Sequence, residues 1–238
     1  MVVASTGVLD ELRALGTEQN RKTYRRHGIT AEIYGVSYAN LNALKQRIKV
    51  DHDLARALWA SGVHDARILA TMVADPKRAD AALLDDWARD LGDHVEADAL
   101  SGFVARTGLA RAKAEEWIES DDEWRGTAGW SLLGQLALHD RSLPDDYFAP
   151  YLARIERDLR GSKNRVRYAM NNVLIAIGMR GGDLERRAMA AAARIGPVEV
   201  DHGQTNCKTP DAAISIQKAR ARKKRSAPRV GTNPACSA

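Results

Sequence analysis

Residues 54–73, LARALWASGVHDARILATMV, and residues 83–104, LLDDWARDLGDHVEADALSGFV, decide the fold. Each begins with a segment closing on a tryptophan, passes a polar break, and continues into a more apolar segment. Within each segment the apolar residues recur at helical i, i+3, i+4 spacing, and no alternating strand pattern of useful length competes. Trp59, Trp87 and Trp117 lie 28 and 30 residues apart. The next equivalent, Leu159, follows a longer insert around Pro144 and Pro150. The apolar second helices read DARILATMV (65–73), EADALSGFV (96–104), EWRGTAGWSLLGQLAL (123–138) and NRVRYAMNNVLIAIG (164–178). Helix pairs recurring at a period of about 30–45 residues predict an all-α solenoid, in which each pair buries its inner face only against its neighbours. An irregular helical bundle is the alternative. Breaks at glycines, Asp75-Pro76 and Ser120–Asp122 divide residues 5–196 into eleven to thirteen helices.

The chain has 238 residues, 36 Lys+Arg against 31 Asp+Glu, and two cysteines, Cys207 and Cys236. Two cysteines exclude a disulfide scaffold and a multi-cysteine zinc fold. The sequence contains no phosphate-cradling P-loop, dinucleotide glycine motif, GxSxG elbow or HExxH, so neither a metal centre nor a cofactor is expected. Asp201, His202 and Cys207 are three ligand types close in sequence, one donor short of a structural zinc set. With no long apolar run and no basic leader, the expected location is the cytoplasm, at the nucleoid if the chain binds DNA.

The charge is unevenly placed. Residues 1–197 hold 28 basic and 28 acidic residues, so the excess lies beyond them. The stretch 218–230, KARARKKRSAPRV, has seven basic residues and no acid. It is expected to be a flexible arm that neutralises phosphates, Lys223 and Lys224 among them, with a solvated tail as the alternative. The expected organisation is a repeat domain at 1–197, a capping strap at 198–217 packed on the last repeat, and a disordered basic tail at 218–238. Within the body, Arg67, Arg125, Arg165 and Arg167 stand near the starts of second helices, where a solenoid presents a concave stripe suited to a polyanion. Pairing with acids of the preceding helices is the competing fate. Tyr24 and Arg25, in an Arg21–Arg26 cluster of four cations and an aromatic, form a second candidate phosphate contact.

The run YGVSYANLNALKQRIK (34–49), then ALW-x4-H-x-ARILA, DDWARD, and the later EWRGTAGWSLLGQLALHD and NRVRYAMNNVLIAIG, resembles the DNA alkylation repair family of HEAT-like-repeat glycosylases over about residues 20–180. The segment VEVDHGQTNCKTPDA (198–212) looks like the C-terminal signature of one bacterial branch. The resemblance implies a concave face that cups duplex DNA. It also implies excision of N3- or N7-alkylated purines without drawing the base into a deep pocket. If the chain is an enzyme, it is then a DNA N-glycosylase. Carried over by position, the family carboxylate falls on Asp98. The tryptophan one turn before it falls on His94, the arginine on Thr127, and the second tryptophan on Asn172. One of the four is retained, and Arg125 lies two residues from the arginine position. The resemblance thus points to a monomer that binds double-stranded DNA, with catalysis by Asp98 and His94 as the activity in question. A non-catalytic sensor of DNA damage or structure, and a protein-interaction scaffold, are the rivals.

Overall fold

Helix starts follow the acids. Asp51, Asp80, Asp93 and Asp122 each cap a helix by accepting hydrogen bonds from backbone amides of its first turn, and Ser37 does the same. The computed structural model describes the backbone of residues 2–226 and the side chains of residues 6–222. Thirteen helices are present among them: α1 (Val2–Leu15), α2 (Glu18–Arg26), α3 (Tyr38–Ile48), α4 (His52–Ala60), α5 (His64–Val73), α6 (Ala81–Arg89), α7 (His94–Val104), α8 (Ala110–Trp117), α9 (Glu123–His139), α10 (Asp145–Asp158), α11 (Asn164–Gly178), α12 (Gly182–Ile195) and α13 (Ala212–Ser226). The described residues contain no strand.

The pairing follows the sequence repeat. Helices α4–α5, α6–α7, α8–α9 and α10–α11 are the four pairs read from the sequence; their second helices stack in the order α5, α7, α9 and α11, with α3 before them and α13 after. One core runs through them, from Leu12 to Ile216. The tryptophans hold the other row together. Trp59 of α4 and Trp87 of α6 stack with ring centroids 4.4 Å apart and planes 4° from parallel. The Trp59 indole also donates to Asp90 Oδ2 at 3.0 Å. A stacked pair of this kind adds about 0.5–1.5 kcal/mol beyond its burial. Where α9 crosses α8, Gly129 is required: a Cβ there would lie 2.5 Å from the Ile118 nitrogen and 2.6 Å from the Trp117 carbonyl carbon.

The C-terminal region departs from expectation in two ways. First, α13 runs to Ser226, so the basic run is helical from Lys218 to Ser226 rather than disordered from its start. Ile216 drives this, being 1% exposed against α11 and α12. Helix α13 thereby takes the second-helix place of a fifth pair, α12–α13. Side chains from Lys223 onward, and residues 227–238 altogether, lie outside the described residues.

Second, the strap does more than cap the last repeat. Asn164 and Asp201 exchange hydrogen bonds, side-chain amide to backbone, at 2.8 Å each. Asn171 Nδ2 donates to the Pro210 carbonyl at 2.9 Å, and the His202 ring meets Tyr168 edge-on at 5.4 Å. The strap then reaches the opposite end of the solenoid, where the Gln204 amide donates to the Arg26 carbonyl of α2 at 3.0 Å. Gly203 makes this contact possible. Its φ is +69°, and a Cβ would lie 2.6 Å from that carbonyl oxygen. First and last units are thus tied directly.

Candidate functional site

The stacked second helices line a hollow. Its cavity, about 700 Å³, is bounded by residues of α2, α3, α5 and α7, including Tyr24, Tyr38, Met72, His94, Asp98 and Phe103. His94 and Asp98 stand four residues apart on α7 and both face it, as helical spacing requires. Asp98 Oδ1 accepts a hydrogen bond from Ser131 Oγ of α9 at 2.8 Å. Asp98 is exposed and lines the cavity. Enclosure by the walls raises its pKa, and nearby Asp93 adds to the rise against the Ser131 hydrogen bond and Arg165. Burial, reinforced by the Arg165 charge, pushes His94 down to about 4, so its imidazole is neutral at physiological pH.

Lys45 and Arg106 are the cations lining the cavity, and Arg165 acts on its His94–Asp98 end. Arg165 is 8% exposed, and its charge acts on His94, Asp98 and His202 together. No carboxylate among the described residues pairs with its guanidinium; its backbone amide is held by Glu123 at 2.7 Å. His27, at the end of α2, also acts on His94 and His202, so α2, the strap, α7 and α11 converge on one rim of the hollow.

The other arginines of the expected stripe are engaged elsewhere. Arg67 donates to the Asp90 carbonyl at 2.8 Å, pairs with Glu96 at 3.2 Å and lies over the Trp59 ring. Arg125 pairs with Glu116 of α8 and reaches Asp85 of α6 at 3.5 Å. Both take the competing fate, bracing one repeat against the next. Arg125 finds Glu116 on the preceding helix, as the competing reading has it, while Arg67 finds Glu96 on α7. Arg167 is half-buried, with its Nε enclosed and without a partner. Thr127 is 3% exposed inside α9, too deep to replace an arginine at the surface. Asn172 is half-buried, and its neighbour Asn171 is fully covered beneath the strap. On α2, Tyr24 lines the hollow and donates to the Val36 carbonyl at 2.7 Å. Arg25 is exposed beside Lys22 and Arg26, with one nitrogen on the Ile29 carbonyl.

Sequence reasoning missed Tyr38, Ser131 and the strap's His202. Tyr38 lacked a signal because one tyrosine at a helix start is common. Ser131 lies four residues after Thr127 on α9, a spacing that aligns side chains on a helix but does not show which face they take. The suggested metal set does not assemble: His202 Nε2 contacts Thr209 Oγ1 at 3.0 Å, and Cys207 is free and exposed. The group that does assemble is buried and unheralded. His64 Nδ1 lies 2.9 Å from Asp93 Oδ2 and 3.6 Å from Glu96 Oε1, all three being at most 2% exposed. Burial opposes a charge on His64, but the two carboxylates together outweigh it and raise its pKa to about 9. Arg67 and the Gly92 amide hold Glu96 Oε2, while the buried Oε1 faces His64 with no hydrogen-bond partner.

Two proteins of Listeria resemble the chain closely in sequence. Lin0241 of Listeria innocua is 31% identical over 219 residues, covering 89% of this chain and 95% of its own length. Lmo0209 of Listeria monocytogenes is 32% identical over 221 residues, covering 90% and 96%. A solved structure superposes with a TM-score of 0.83 at 29% identity, covering 92% of this chain and 94% of the other. It represents a family of proteins related to the HEAT-like repeat DNA glycosylases, with affinity for branched DNA structures. No helix of the described residues is long and apolar enough to cross a membrane. A model of the DNA alkylation repair enzyme family matches residues 8–216, so the helical pairs read from the tryptophan spacing are HEAT-like repeats and the chain belongs to that family.

Proposed function

We propose that the protein binds branched DNA in the hollow of its second-helix row and does not excise bases. The observation that carries this reading is the match, at a TM-score of 0.83, to a protein of a family with affinity for branched DNA structures. Two features of the hollow support it. Arg165 supplies a cation held in place without a carboxylate partner, ready for a phosphate. The basic face of α2, with Lys22, Arg25 and Arg26, extends positive charge from the same rim. The run Arg222–Arg225 is a further phosphate contact in this proposal, and it adds sequence-independent, salt-sensitive affinity.

The case against excision is chemical. A glycosylase of this type stabilises a cationic sugar with a carboxylate at low local dielectric. Asp98 has its pKa raised, Ser131 occupies one of its oxygens, and the flanking tryptophan positions hold His94 and Asn172. Without those two aromatic faces, Asp98 lacks the walls that would hold a cationic base beside it.

Fluorescence anisotropy with a four-way junction and a linear duplex of equal length tests the proposal. The junction is expected to bind at least about tenfold more tightly at physiological salt, because branch geometry places phosphates on more than one face of the hollow. Equal affinity, or none for the junction, overturns it. In parallel, methylated duplex incubated with excess protein is expected to release no purine. Release that Asp98→Asn abolishes would move the protein to excision.

A further inference from the structure

The cavity between α2, α3, α5 and α7 is larger and more apolar than phosphate binding needs. Its walls include Tyr38, Met72, Ile68 and Phe103, and its volume of about 700 Å³ lies in the range of roughly 300–1,000 Å³ typical of sites that enclose a small molecule. Tyr38, at the start of α3, is 48% exposed, one of few large apolar side chains in the described residues left open to this degree. Leaving an aromatic face uncovered loses burial that folding would otherwise gain. The same walls carry polar groups: Asp98 with its Ser131 partner, neutral His94 near the Arg165 charge, and the cations Lys45 and Arg106. The pattern is an apolar slot with hydrogen-bonding groups and cations along its walls. A flat heteroaromatic ring attached to an anionic linkage has this same distribution of chemistry.

From this juxtaposition we propose that the cavity takes one unstacked nucleotide from the branch point of the DNA, its base against Tyr38 and its phosphate toward Arg165. The inference rests on the branched-DNA reading and deepens it, since branch points are where duplex DNA presents bases with an unsatisfied stacking face. Tyr38 supplies the stacking surface, and such contacts tolerate any base because every base has a π-face. Asp98 and His94 add hydrogen bonding to a base edge, which favours bases carrying an exocyclic amino group. The family resemblance implies no deep pocket for a base. The cavity beside Asp98, with Tyr38 on its wall, sets this chain apart from that expectation.

The test compares two junctions differing at one position, an unpaired adenine or an abasic tetrahydrofuran residue at the branch. Wild-type protein is expected to bind the adenine junction about tenfold more tightly, the scale of one base–aromatic stack. Tyr38→Ala is expected to bring that ratio close to one, and Tyr38→Phe to restore it, both with melting temperatures near wild type because the side chain is half exposed. Equal wild-type affinity for the two junctions overturns this inference and leaves junction binding standing. So does a ratio that survives in Tyr38→Ala. Failure to bind either junction overturns the branched-DNA reading itself, and this inference falls with it.

Discussion

Asp65→Ala is expected to destabilise the protein by about 3–5 kcal/mol, because it strands three buried amides that each cost about 1–3 kcal/mol unpaired. Asp65 is 1% exposed on α5. Its Oδ2 accepts from the Tyr34 and Gly35 amides at 2.7 and 3.2 Å, and its Oδ1 from Val36 at 2.7 Å. These bonds bind the extended segment between α2 and α3 to the inner row, and so place both Tyr24 and Tyr38. No other acceptor is positioned to replace the carboxylate. Asparagine is a poor substitute, since its amide nitrogen would face a backbone donor where an oxygen now accepts. For a domain of this size each kcal/mol moves the melting temperature by about 2–4 °C, so Asp65→Ala is expected to melt about 10 °C lower. Thermal unfolding followed by circular dichroism measures it. A loss under about 1 kcal/mol would show that the segment finds other partners.

The second large effect is a dependence on pH. In the folded protein His64 holds its proton up to about pH 9, against 6.5 in an unfolded chain. A group whose folded pKa is raised stabilises the fold fully below its unfolded pKa and loses that contribution as pH climbs through the folded one. Stability should therefore fall between about pH 6.5 and 9, by about 3 kcal/mol for a shift of this size. His64→Ala removes the cation between Asp93 and Glu96. It is expected to cost about 3–5 kcal/mol at neutral pH, the usual result of breaking a buried ion pair from one side. The variant should also lose the fall between pH 6.5 and 9. Urea midpoints at several pH values provide the comparison. A wild-type midpoint unchanged across that window would mean that His64 is neutral when folded.

The legible part of this molecule was its repeat. Tryptophan spacing, apolar periodicity and turn-forming breaks are local signals. They placed the second helices at 65–73, 96–104, 123–138 and 164–178, within two residues of the observed starts and one of the observed ends. Asp98 and His94 could also be placed on one face of a helix, because i, i+4 spacing alone decides that. The illegible part depends on distant partners. Arg67 looked like part of a phosphate stripe because its acid, Glu96, lies 29 residues away, beyond any local pattern, whereas Arg125 pairs with Glu116 of the preceding helix as well as with Asp85. Arg165 and Arg167 have no such partner among the described residues, and nothing in their neighbourhood of sequence distinguishes them from the others. The start of α13, with Ile216 as an anchor, was read as the end of the strap, but its continuation through Lys218–Ser226 was read as tail because a purely basic run shows no apolar periodicity. The strap's reach to Arg26 is a backbone contact through Gly203 and Gln204, and backbone contacts leave little trace in side-chain pattern.

These placements make Arg165 the residue through which the proposed function is most directly tested. The measurement is the affinity of Arg165→Glu for a four-way junction, at fixed salt and with folding confirmed by its melting curve. Reversing the charge of Arg165, which has no carboxylate partner among the described residues, should weaken binding by at least about tenfold, the effect of removing a charge-assisted phosphate contact and adding a repulsive charge. Wild-type affinity in a folded Arg165→Glu variant would mean that DNA, if bound, lies outside the hollow.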